Sequence, residues 1–222
     1  NRNDFEDLGA GTRTLAFASG NRGLIVIDNS RIRTEPLNLG SILSHEWVHL
    51  VLHEQIPPGR LPRWLNEGLA QRIGGGTAEI VLMEGTGKRL QQAVLSNRRM
   101  EFHDLSADFP HKDPGLSLAY EQSRSFVDYL FDRIGREGML KALRSLTQGG
   151  SIEMSLETAA GIPFQDLEGG WRETLNRRVT WLAYISNNFP FFLFLFAAGL
   201  TVLGFFRMLI QRRNYRDEDE FS

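Results

Sequence analysis

The chain has 222 residues, enough for one domain of ordinary size and an appendage. It contains no cysteine, which excludes disulfides and thiolate metal ligands, so any metal must be held by His and carboxylate. A net charge of -2 excludes a general basic field, and no nucleic-acid partner is expected.

Residues 1–13 are polar and Gly-rich and read as a linker, or as the end of an upstream region. The first residue is Asn1 rather than Met, as in a fragment or a processed product. Leu15–Ala18 and Leu24–Asp28 are predicted strands, with Ser19-Gly20-Asn21-Arg22-Gly23 turning between them. The second is a continuous apolar run, as expected of a buried strand. Pro36 and Gly40 precede a helix with Ser41 as its N-cap, running to about His53 and stopping before Pro57-Pro58-Gly59. Pro62 suits the first turn of a second helix, which carries Trp64, Leu65, Glu67, Leu69 and Ala70 and ends at Gly74-Gly75-Gly76. Trp47 and Trp64 are expected to pack these two helices together.

Glu79–Met83 is a further predicted strand. Helical patterns follow at about 88–98, 117–134, 137–147, 151–160 and 164–183, and residues 106–115, with Pro110 and Pro114, read as a loop. A small N-terminal β part followed by a mostly helical region predicts the α+β class.

The C-terminal part belongs in a different solvent. Phe189 to Phe206 runs 18 residues without a charge and holds seven of the fifteen Phe. At helical rise it spans about 27 Å, close to the hydrocarbon thickness of a bilayer. Apolar on every face, the segment does not read as a half-buried surface helix. Residues 187–210 are therefore expected to form one transmembrane helix, and 211–222 a charged tail. Arg207, Arg212, Arg213 and Arg216 follow the span, against Arg172, Arg177 and Arg178 before it. That bias predicts a single-pass membrane protein with a cytoplasmic C-terminal tail and its folded domain, residues 14–183, extracytoplasmic.

The chemistry is concentrated in His45-Glu46-Trp47-Val48-His49, an H-E-x-x-H run. Three of the five histidines, His45, His49 and His53, fall within nine residues. On a helix, positions four apart share a face, so His45 and His49 can reach one ion, while Glu46, about 100° around, can reach a water on it. An open catalytic zinc site needs three protein ligands. The second helix supplies Glu67, separated from His49 by 17 residues, which leaves room for the Pro-Pro-Gly turn. With Glu67 available, His53 is expected at the surface or behind the ligands.

H-E-x-x-H followed at this spacing by Asn66-Glu67 resembles the gluzincin metallopeptidases, the group of thermolysin and the zinc aminopeptidases. The nearer resemblance is to the bacterial peptidase MA-like family, carried by the segment LPRWLNEGLA and, less specifically, by LAYEQSRSFVDYLFDRIGREGMLKALRSLTQGG and the Gly161 to Trp171 region. It covers roughly residues 15–180 and implies a gluzincin-like α+β core. It implies a Zn2+-dependent peptidase, with His45, His49 and Glu67 binding zinc and Glu46 as general base toward a zinc-activated water. Peptide or protein substrates are the implied partners. The resemblance also implies a downstream Tyr or His stabilising the transition-state oxygen: Tyr120 is the candidate, with His111 or His103 behind it. Where thermolysin-like enzymes often place an Asp that orients a ligand His, this chain has Gln71, whose amide oxygen is expected to accept more weakly. No G-x-M-E-N segment precedes His45, which disfavours an aminopeptidase.

Two other functions fit the pattern less well. In an intramembrane protease the H-E-x-x-H helix would lie among apolar spans, whereas here Asn38, Gly40 and Glu54-Gln55 flank it. A catalytically silent, zinc-binding, membrane-tethered scaffold of the same fold would have no use for the intact Glu46.

Overall fold

A computed structural model describes residues 16–19, 23–28, 39–74 and 88–219, without the side chains of 182–187 and 209–219. The chain divides into two compact units, Asn1–Asn176 and Arg177–Ser222. Among the described residues the first unit is mostly helical with a small two-stranded sheet.

Strands β1 (Ala16–Ser19) and β2 (Leu24–Ile27) pair antiparallel in the register Ala16 with Ile27 and Ser19 with Leu24. They match the two predicted strands to within a residue at each end. Gly20–Arg22 of the predicted turn, Pro36 and the predicted strand Glu79–Met83 lie outside the described residues.

Helix α1 spans Leu39–Gln55 and packs against β1. Its start corrects one expectation: Ser41 lies inside the helix rather than capping it. Gly40 sits in the first turn, where backbone N–H groups have no intrahelical partner and a poor helix former costs little. Helix α2 (Arg63–Ile73) follows Pro62, whose fixed φ suits the approach to a first turn, and Gly74 closes it by donating to the Ala70 carbonyl. Helices α3 (Arg89–Leu95) and α4 (Asp104–Ala107) are short. Part of the predicted loop 106–115 is therefore helical.

Helix α5 (Gly115–Thr147) covers the two predicted segments 117–134 and 137–147. The break between them is Gly135, at φ 68° and ψ 179°, a conformation open almost only to glycine. Helix α6 (Ile152–Ala160) is capped by Ser151, whose hydroxyl accepts from the Met154 amide at 3.2 Å, and ends at the left-handed Gly161 (φ 70°).

The core of the first unit gathers around α5. Phe126 stacks on Phe102 at 4.2 Å between ring centroids, with Trp64 at 5.3 Å and Trp171 at 5.5 Å, and all four are essentially sealed from solvent. The Trp171 indole N–H donates to Ser125 Oγ at 3.1 Å, which satisfies its one polar atom. Gln122, fully buried, accepts from the Met100 amide and donates to its carbonyl, pinning the chain ahead of α4 onto α5.

Helix α7 runs from Phe164 to Asp219, through the boundary at 176/177, with Pro190 inside it. It is longer than the predicted 164–183, and helix continues through most of the predicted charged tail. Within the second unit Asn188–Met208 is long and apolar enough to cross a membrane, and its side chains from Phe189 onward are exposed.

Candidate metal centre

Helix α1 is apolar on most of its surface, and its buried face carries Ile42, His45, Glu46, Val48 and Leu52. The opposite face, through Leu39, Leu43, Trp47 and Val51, is exposed. Trp47, 62 % exposed, therefore does not pack α1 onto α2; Trp64 alone enters the core. Apolar character on both faces conceals which face is buried, and in the folded chain the histidine-bearing face turns inward.

Two glycines bring the helices close enough to share a site. A Cβ on Gly68 would stand 2.5 Å from Val127 Cγ2 and 2.7 Å from the Ser123 carbonyl oxygen, so α2 rests directly on the backbone of α5. A Cβ on Gly74 would stand 2.8 Å from the His45 amide nitrogen, so the end of α2 abuts α1 at the first histidine. Asn66 and Glu67 immediately precede Gly68 on α2, and both reach the histidines of α1.

His45, His49 and Glu67 converge. The two Nε2 atoms are 3.0 Å apart, and Glu67 Oε2 lies 3.8 Å from His45 Nε2 and 3.6 Å from His49 Nε2. Ligands held about 2.0–2.1 Å from one tetrahedral ion stand roughly 3.3 Å from each other. The observed triangle matches that spacing, and two imidazoles with one carboxylate are a suitable donor set for zinc. Burial, helped by the neighbouring His49, pushes the His45 imidazole down to about 3, against an opposing contribution from the Ala70 backbone. A neutral imidazole is the form that binds metal.

Asn66 completes the arrangement in a role the sequence did not reveal. His49 Nδ1 and Asn66 Oδ1 are 2.9 Å apart. An amide oxygen only accepts, so His49 carries its proton on Nδ1 and presents a lone pair at Nε2. The available signal was the position of Asn66 beside Glu67 on α2. Gln71, by contrast, is turned to α5: its side-chain amide donates to the Tyr120 carbonyl at 3.2 Å, and its backbone carbonyl accepts from Arg124.

The other site residues fall as follows. Glu46 is 6 % exposed and sits one position beyond His45 on α1. Tyr120 is buried on α5, with its ring edge-on to Phe109 at 5.2 Å. His53 and His103 are exposed, and His111 lies at the surface, 3.9 Å from Asp108. None of these three joins the His45, His49 and Glu67 cluster.

Comparison with known proteins gives a match at the level of the family. A family model described as the Peptidase MA superfamily matches residues 10–177, which include the whole cluster. No curated protein and no solved structure matches the chain.

Proposed function

The chain belongs to the peptidase MA superfamily, and on that premise we propose that it is a membrane-anchored, zinc-dependent peptidase acting on peptide or protein substrates. The observation that carries the proposal is the convergence of His45, His49 and Glu67 at ligand spacing on two different helices. A zinc ion in that cluster would supply Lewis acidity, polarising a substrate carbonyl and acidifying water.

The chain's own residues do the rest. Glu46 takes a proton from the attacking water and delivers it to the leaving amine nitrogen as the peptide bond breaks. Asn66 holds the His49 tautomer. Tyr120 is assigned to donate a hydrogen bond to the carbonyl oxygen as negative charge collects there. An internal peptide bond is the preferred target. The apolar segment 188–208 serves as a single-pass anchor, and the arginine bias favours a first unit outside the cytoplasm.

Metal removal tests the reading. Cleavage of a broad peptide library by the purified full chain should stop on dialysis against a chelator and return with added zinc. Cleavage that survives complete metal removal would contradict it.

A further inference from the structure

The helices that carry the metal ligands, with α5, also line a separate, open-mouthed cavity. It has a volume of about 620 Å³, within the range of small-molecule sites. Eight of its eleven lining residues are apolar and the other three are Arg72, Arg124 and Arg136. None of His45, Glu46, His49 and Glu67 lines it.

Its polarity is graded. Leu69 and Met139, at 2 % and 1 % exposure, form the buried part of the lining, while Ile73, 60 % exposed, stands toward solvent. The three cations are on the solvent side as well: Arg136 is exposed, and the side chains of Arg72 and Arg124 are 34 % and 37 % exposed. Two of them are held in place. Asp128 pairs with both Arg72 and Arg124, Arg124 also donates to the Gln71 carbonyl at 2.7 Å, and Arg72 lies over the Phe131 ring at 4.3 Å. Each guanidinium has five N–H groups, so these bonds leave donors to spare.

Among the described residues, the lining side chains thus offer apolar surface and cationic donors and include no carboxylate; Asp128, paired with Arg72 and Arg124, neutralises one of the three charges, which leaves the cluster net positive. A peptide backbone needs acceptors for its N–H groups as well as donors. An anionic amphiphile needs only what is present: donors for its headgroup at the mouth and apolar walls for its chain.

We propose that this cavity, lined by α1, α2 and α5, binds a single-chain anionic amphiphile of the fatty-acid class, with the carboxylate at Arg136, Arg72 and Arg124 and the alkyl chain running toward Leu69 and Met139. The site is independent of the metal cluster and of peptidase activity.

The test uses the full chain in lipid nanodiscs and radiolabelled dodecanoate in equilibrium dialysis, with empty nanodiscs subtracting partition into lipid. Saturable binding is expected, and it should persist after the metal is stripped with a chelator. Arg136→Glu, a change at an exposed position, should weaken it by about tenfold or more, as should replacing the probe by the uncharged dodecanol. Leu143→Trp, which fills the cavity, should weaken it without changing the charge. Binding lost on chelation would place the carboxylate on the metal and overturn the proposal. So would binding unaffected by both Arg136→Glu and Leu143→Trp, or displacement by a short apolar peptide with a free C-terminus but not by unlabelled dodecanoate.

Discussion

His49 is addressed from both ring nitrogens, by Asn66 at Nδ1 and by the ligand cluster at Nε2. Removing the amide leaves the ring free to change tautomer and to turn. Asn66→Ala is therefore expected to lower zinc affinity by about 10–100-fold, read by competition with a chromogenic chelator. Tyr120→Phe should do the opposite: metal affinity unchanged, and kcat reduced by about a hundredfold if the hydroxyl meets the transition-state oxygen. Unchanged metal affinity in Asn66→Ala, or unchanged kcat in Tyr120→Phe, would remove that residue from its role. Much of this scale is legible in the sequence, because a four-residue spacing on a helix is local geometry and Glu67 lies one short turn and one helix away. The part played by Asn66 is not legible, since it depends on which face of α2 meets α1. Gln71 shows the same limit: its position suggested a histidine partner, and the fold turned it to the Tyr120 carbonyl instead.

Among the elements, α2 is the piece that turns two ligands into three. Its burial through Trp64, Leu65 and Leu69 holds it, but its closeness to α5 depends on the missing side chain at Gly68. Gly68→Ala would drive a methyl group against the Ser123 carbonyl, which cannot swing aside as a side chain could. A loss of roughly 1–3 kcal/mol is expected, as for other overpacked cores, read from thermal melting of the metal-free chain. Zinc affinity should fall with it, because Glu67 is the adjacent residue. A variant as stable as the parent would contradict the close packing of α2 on α5. Helix punctuation was partly readable: Gly74 ends α2 where the glycine run put it, and the gap between the predicted segments 117–134 and 137–147 falls at Gly135, whereas Ser41 lies inside α1 and the cap at Ser151 was read as helix. The burial of α1 was not, because Trp47 and Val48 are equally apolar and periodicity cannot choose between two apolar faces.

For the whole molecule, the proposal joins a folded unit carrying the metal cluster to an apolar helix. If Asn188–Met208 spans a bilayer, the full chain should stay with membranes through an alkaline carbonate wash. Phe196→Arg combined with Leu200→Arg should release it, since each charge near the bilayer centre costs about 2.5–3.5 kcal/mol on insertion. Release of the unaltered chain by carbonate would rule out the anchor. The peptidase reading itself rests on Glu46 and the cluster acting together. Its most direct check is metal content and library cleavage measured side by side on the unaltered chain and on Glu46→Gln. Both proteins should hold the same amount of zinc, and cleavage by Glu46→Gln should fall by about a hundredfold or more; undiminished cleavage by the zinc-loaded variant would contradict the role of Glu46, and absence of zinc from both would contradict the metal centre.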